Sequence, residues 1–273
     1  MRVILCLALS LSLPLQAAAQ APGGSTEPAS SKVWIGRYAE FEEFLKTAKI
    51  EGGDRTPVGV LAPTHARFTP GGLAAGAAVK PITPGVREGF FESYKSEIAA
   101  YKLDRMLQLD MVPPTVERRV NGNMASVQLW VENVRTLKQI LAANAKAPDV
   151  EGWNRQVNRQ KVFDDLVADI DDNQGNLLID GAWNLIKIDH SRAFAPNVIT
   201  TPFEVGDAAR GVSHIDQDLF NRIKALDKAA VKRELGDLLE GGTLDLLFSR
   251  RDTIVKAFEK LAAQKGANQV FTK

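Results

Sequence analysis

Asp169-Ile170-Asp171-Asp172-Asn173-Gln174-Gly175-Asn176 is the densest polar run in the chain. It follows an apolar helical pattern over Gly152 to Ala168 and precedes the apolar run Leu177-Leu178-Ile179. Asp180-Gly181 then turns the chain into Leu185-Ile186-Lys187-Ile188, a small hairpin, and Asp189 stands at its end. Carboxylates that emerge from apolar strands are poor solubility devices, because surface charge sits more naturally on helix faces and loop tips. The segment therefore reads as a site.

Phosphoryl transfer asks for such a set. One Asp orients the accepting hydroxyl, and an Asn five residues later with an Asp across a hairpin holds divalent metal on the phosphates. Asp171-x-x-x-x-Asn176 has that spacing, and Asp189 stands in the place of the second metal ligand. The other half of the chain offers a partner pair. Lys80 lies in the strand-like Ala78-Val79-Lys80, and Glu97 lies in an apolar helical stripe with Phe90, Tyr94, Ile98 and Tyr101. A carboxylate on a buried face costs several kcal/mol unless a cation meets it. Strand lysines and helix glutamates are common, so this pair alone carries little.

Working outward, residues 55–131 carry mostly strand signals. Pro57-Val58-Gly59-Val60-Leu61 and Ala77 to Ile82 are β-like runs, and Thr115–Val120 and Ala125–Val131 flank the hairpin signal Asn121-Gly122-Asn123. The Phe90–Arg105 stripe predicts one helix among these strands, and Pro113-Pro114 stops the chain before the hairpin. After 132 the patterns are mostly helical: Thr136–Ala145, Gly152–Ala168, Leu219–Leu239 and Leu244–Ala263, the last two parted by Gly241-Gly242.

The first nineteen residues read as a secretory signal peptide: Arg2, an apolar run from Val3 to Leu15, then small residues with cleavage expected after Ala19. That run is short of the roughly 20 residues that span a bilayer, so no stable membrane anchor is expected after cleavage. Residues 20–33, rich in Pro, Gly, Ser and Ala, read as a flexible leader. The expected location is a bacterial periplasm or the cell exterior. Cys6 is the only cysteine and leaves with the signal, which excludes disulfides, a cysteine nucleophile and thiolate metal sites. His65, His190 and His214 have no zinc-ligand spacing, and no Gly-x-Ser-x-Gly elbow is present. Lys and Arg number 34 against 33 Asp and Glu, a balance that gives no reason to expect nucleic acid.

Phe91 to Asp104 resembles the αC segment of atypical secretory-pathway kinases, the Golgi casein kinase and glycan xylose kinase family, with HipA-like and phosphoinositide kinases more distant. Val112 to Arg118 and Ser126 to Val131 are similar to the strands that follow it. Phe163-Asp164-Asp165-Leu166, the Asp171–Asn176 loop and Ile188-Asp189-His190 are similar to its catalytic half. The resemblance covers roughly residues 55–195. It implies an α+β, two-lobed protein-kinase-like fold: a small β-rich N-lobe with one long helix at 34–131 and a larger helical C-lobe at 132–273. It implies that Asp171 is the catalytic residue, that Asn176 and Asp189 hold Mg²⁺ or Mn²⁺, and that Lys80 pairs with Glu97 and binds the ATP phosphates. Backbone groups of Trp130, Val131 and Glu132 become the adenine-binding hinge, and the acceptor is a hydroxyl of a protein or a glycan.

Two departures stand against this. Asp169-Ile170-Asp171-Asp172 replaces the family's common Asn-x-Asp-Arg, and Gly59 is the only glycine in the first strand of the lid, where Thr64, His65 and Arg67 are candidate phosphate contacts instead. They favour a pseudokinase, a binding module without turnover, as the alternative. A third reading is an unrelated α+β protein whose Asp169, Asp171 and Asn173 bind Ca²⁺, although Gly175 and Asp180 fall off the EF-hand pattern.

Overall fold

The computed structural model describes residues 29–55, 63–171, 173–196 and 212–272. The expected signal peptide, the leader before Ala29, the expected strand at 57–61 and Asp172 lie outside them. The elements run α1 (Tyr38–Thr47), β1 (Ile50–Arg55), β2 (Thr64–Phe68), β3 (Gly76–Lys80), β4 (Gly85–Arg87), β5 (Phe90–Glu92), α2 (Tyr94–Leu107), β6 (Thr115–Val120), β7 (Asn123–Leu129) and β8 (Val134–Thr136). There follow α3 (Leu137–Ala142), α4 (Val150–Val167), a 3-10 turn (Gln174–Asn176), β9 (Leu177–Asp180), β10 (Leu185–Lys187), β11 (Ile215–Asp216), α5 (Gln217–Lys224), α6 (Lys228–Leu235), α7 (Thr243–Lys265), α8 (Ala267–Val270) and β12 (Phe271–Thr272).

Five antiparallel strands form one sheet in the order β1-β2-β3-β7-β6. Strand alternation sends Ala77 and Val79 to one face, where they meet Ala66, Phe68, Val127 and Leu129 in a core closed by Trp34, Phe41 and Leu45. Phe41 and Leu45 are one helical turn apart on α1, so this helix covers the back of the sheet. The β6–β7 turn has Asn121 at φ 49° and Gly122 at φ 84°. Two consecutive left-handed residues are what a tight two-residue hairpin needs, and Asn-Gly adopts them at least cost.

The remainder is helical. Its core joins α4 residues Val162, Phe163 and Leu166 to Leu219, Phe220 and Ile223 of α5 and to Leu247, Ile254 and Phe258 of α7. The α+β, sheet-plus-helical architecture is the expected one, with three local corrections. The helix expected from Phe90 begins at Tyr94, because Ser93 caps it and residues 90–92 pair with β4 instead. The helix expected over Leu219–Leu239 is two, broken where Asp227 accepts from the Ala230 amide and starts α6. And α1 precedes the sheet, where no element was anticipated. Of the expected leader, Ser30 and Ser31 are hydrogen-bonded to the Asp180 carboxylate in the β9–β10 turn.

Helix α2 links the two parts. Ten of its fourteen residues are buried. Ala99, Ala100, Leu103 and Leu107 belong to the helical core, while Asp104 holds the chain that leads to β6 by accepting from the Met111 and Val112 amides at 3.0 and 3.2 Å. Burial pushes the Asp104 carboxyl up to about 7, although these two bonds and Lys32 pull the other way. A raised folded-state value means that Asp104 supports the fold while protonated and loses that contribution as pH rises through about 7. Asp104→Asn keeps an accepting oxygen and removes the charge. Urea unfolding at pH 5 and pH 8 is expected to show the Asn variant gaining on the native chain by ~2 kcal/mol or more at the higher pH. Asp104→Ala loses both bonds and is expected to cost about 1–3 kcal/mol at pH 5.

Candidate active site

Alternation along β3 turns Gly76, Ala78 and Lys80 away from the sheet core. Lys80 meets α2 on that face. Its Nζ lies 2.6 Å from Glu97 Oε1 and 2.7 Å from Asp189 Oδ1, so one ammonium joins the sheet, the helix and the segment after β10. Glu97 has no solvent exposure and Lys80 has 8%. Burial works against the Lys80 charge, but the Asp189 and Glu97 carboxylates outweigh it and hold the lysine above its ordinary value. Burial raises Glu97. Asp189, although burial opposes it, is held at about 2 by Lys80 and the Ser191 hydroxyl. The charged Lys80–Asp189 pair is the state the geometry favours.

The segment that carries Asp189 is fastened to the start of α2. The His190 amide donates to Glu97 Oε2 at 3.0 Å, the Ser93 amide to Ser191 O at 2.9 Å, and Ser96 Oγ to Ala193 O at 2.9 Å. Arg192 pairs with Glu92 at 2.8 Å and lies over the Phe90 ring at 4.5 Å. Asp189 takes φ 62°, a left-handed conformation that costs a non-glycine residue on the order of 1 kcal/mol. The bonds on either side hold it there.

The polar loop follows α4, which ends at Ala168 in the left-handed conformation. The Asp171 amide donates to Asp169 Oδ1 at 3.1 Å, and Asn173 caps the 3-10 turn. Ile188 N donates to Asn176 O at 3.0 Å, so Asn176 and Asp189 are anchored to the same strand end. Asp169 faces inward: Lys187 Nζ lies 3.0 Å from its Oδ2 and 3.6 Å from Asp164 Oδ2, with Lys187 2% exposed. That placement is wrong for a calcium loop, whose carboxylates converge on one ion from the loop itself.

Trp130, Val131 and Glu132 occupy the link between β7 and β8. The Trp130 amide is committed to Gly76 O at 3.1 Å. Its ring stacks on His65, centroids 3.9 Å apart and planes 19° from parallel. Gly76 permits this, since a Cβ there would stand 2.6 Å from His65 Nε2. Burial and then Arg67 lower the His65 pKa, so the ring is a neutral stacking partner rather than a phosphate-binding cation. Arg67 is paired with Asp54. A cavity of about 580 Å³ lies along this link, walled by Trp130, Val131, Glu132, Phe41 and Leu73; Lys80, Glu97 and Asp189 do not line it.

No family model matches the chain, and no curated protein matches its sequence. Solved structures do. The structure of hydra Fam20 with sugar aligns with a TM-score of 0.63 at 16% identity, covering 86% of this chain and 92% of that one. The Golgi casein kinase with Mn/ADP bound aligns at 0.62 and 15% identity, covering 86% and 78%. The chain has the fold of the atypical secretory-pathway kinases. A Helicobacter pylori proinflammatory kinase, CtkA, aligns at 0.52 and 9% identity over 81% of this chain and 98% of that one. Among the described residues no helix is long and apolar enough to cross a membrane.

Three participants escaped the sequence reading. Lys187 sits in an apolar strand, where its charge is the one signal of a buried partner. Asp164 was read only as part of a motif. Arg192 follows Asp189 by three residues, and its partner Glu92 is remote in sequence, so no spacing announces it.

The Lys80–Glu97 pair has a measurable signature. Lys80→Met leaves two carboxylates without their cation and is expected to cost about 3–5 kcal/mol in urea unfolding. Adding Glu97→Gln is expected to restore part of that loss, a coupling of about 1–3 kcal/mol. The exposed Lys224–Glu259 pair, 2.7 Å apart, is expected to show less than about 1 kcal/mol in the same cycle.

Proposed function

We propose that this chain is an exported, metal-dependent phosphotransferase that moves the γ-phosphoryl group of ATP to a hydroxyl of a protein or a glycan. The observation that carries the reading is the single ammonium of Lys80 held at once by Glu97 and Asp189. That is the arrangement in which a kinase aligns phosphates and metal. The fold supports it, and so do the ligands of the two neighbouring structures, Mn/ADP in one and sugar in the other.

In this reading Lys80 binds the α/β phosphates, and Glu97 fixes the direction of its side chain. The link at Trp130–Glu132 receives the adenine through its backbone. Asp189 suits a cation: it is charged, one-third exposed, and both of its hydrogen bonds fall on Oδ1, which leaves Oδ2 to face the metal with Asn176. A divalent ion there supplies neutralisation of the phosphate charge. Asp171 orients the acceptor hydroxyl and takes its proton as the oxygen bonds to the γ-phosphorus and the bond to the β-phosphate oxygen breaks. Glu92 chiefly, with Asp171 and Asp189 behind it, raises the Arg192 pKa, so a permanent cation stands beside the two working carboxylates.

A thermal shift on residues 20–273 with ATP and Mn²⁺ or Mg²⁺ tests the reading. At ligand about 100-fold above Kd, binding adds about 2.7 kcal/mol, which raises the midpoint of a domain this size by ~5–10 °C. Asp189→Ala is expected to abolish the metal-dependent shift. Asp171→Ala is expected to keep it and to lose transfer by at least about 10²-fold. Full transfer by Asp171→Ala removes Asp171 from its role. A shift with no transfer to any acceptor makes the chain a nucleotide-binding pseudokinase.

A further inference from the structure

Asp164 and Asp169 flank the end of α4, and the fold brings His190, from the segment after β10, to meet them beside the proposed nucleotide site. Each offers a metal-ligating atom, and these atoms lie within 4.8 Å of one another. His190 has no solvent exposure, and neither of its ring nitrogens has a hydrogen-bond partner. Asp164 Oδ1 is equally buried and unpartnered. A buried imidazole normally uses at least one nitrogen, so an unpartnered ring facing an unpartnered carboxylate oxygen, with Asp169 beside them, calls for a ligand. Lys187 offsets the carboxylate charge, but its ammonium is held by Asp169 and Asp164 and makes no hydrogen bond to the ring.

We propose that Asp164, Asp169 and His190 form a second cation site, separate from the nucleotide metal at Asn176 and Asp189, which takes Zn²⁺ in exchange for the Lys187 ammonium. One imidazole with two carboxylates is a donor set for zinc, whereas Mg²⁺ and Ca²⁺ take oxygen alone. Tetrahedral zinc with ligand bonds near 2.0–2.2 Å sets neighbouring ligand atoms roughly 3.3 Å apart, so the cluster closes by at most about 1.5 Å on loading. The fourth position goes to water. The ion neutralises the pair of carboxylates and satisfies the ring, two tasks that Lys187 divides poorly.

The test uses the full mature chain without nucleotide, with Zn²⁺ and Mg²⁺ as probes, followed by melting and by titration calorimetry. Zn²⁺ is expected to raise the midpoint by several degrees at one equivalent, and Mg²⁺ is not. Lys187→Met removes the competing ammonium. It is expected to melt lower without metal, to recover with Zn²⁺, and to bind Zn²⁺ at least tenfold more tightly than the native chain. His190→Phe and, as a variant closer in shape, Asp164→Asn are each expected to abolish the zinc response. Asp189→Asn is expected to keep it, which separates this site from the nucleotide metal. Absence of a zinc response in both the native chain and Lys187→Met overturns the proposal. So does a response that survives both His190→Phe and Asp164→Asn, or one that Asp189→Asn removes. These results leave the nucleotide reading untouched, since no ATP is present.

Discussion

A carboxylate with no access to water is tolerable in this molecule only because one ammonium reaches it. Glu97 sits on the buried face of α2, and Lys80 comes from the middle of a five-stranded sheet to meet it. The requirement propagates in both directions. The pairing fixes the register of β3, since a one-residue slip would turn Lys80 into the apolar core and Val79 out of it. It also fixes the rotation of α2, because a neighbouring position on a helix points about 100° away. Asp189 then shares the same ammonium, so the stretch after β10 is bound by the geometry that sheet and helix have already set.

Helix α2 is therefore an organiser rather than a surface element of the sheet. By chain order it belongs between β5 and β6, yet Ala99, Ala100, Leu103 and Leu107 share the core of the helical part, where α2 contacts α5 and α6. Reciprocally, Ile186 of β10 enters the core of the sheet. Each half lends an element to the other. The backbone bonds from Ser93, Ser96 and the His190 amide add a second layer to this exchange. A chain joined in this way holds Glu97 and Asp189 in place from both halves.

Much of this was legible in the sequence, for reasons that are local. The Asn121-Gly122 turn, the strands beside it and the helix through Glu97 announce themselves by turn chemistry and periodicity. Glu97 in an apolar stripe and Asp189 after an apolar strand were conspicuous because each places charge where burial is expected. Helix boundaries were less legible: Ser93 and Asp227 are caps, and a capping side chain overrides a stripe that continues past it. Residues whose meaning is a partner distant in sequence were not legible at all. Lys187 makes sense only with Asp169 and Asp164 in place, Arg192 only with Glu92, and His65 only against Trp130.

That last group bears on the first departure, the Asp169-Ile170-Asp171-Asp172 run that looks unlike the kinases it resembles. An Asp at position 169 in place of the family's Asn adds a negative charge in the interior, and the strand leading to Asp189 supplies Lys187 to meet it. The substitution and its compensation lie on opposite sides of a hairpin, which is why the loop read alone seemed overcharged. The missing arginine after Asp171 has a similar answer. Arg192 reaches the electrostatic neighbourhood of Asp171 and Asp189 from the far side of the site, steadied by Glu92 and the Phe90 ring. A cation that approaches from the segment after Asp189 acts on the same carboxylates as one that follows Asp171 would, because the Coulomb interaction depends on distance and dielectric and not on chain position. The charge balance of a site is a property of the folded cluster, and a motif that departs from its family at one residue is to be weighed with every charge the fold brings to it.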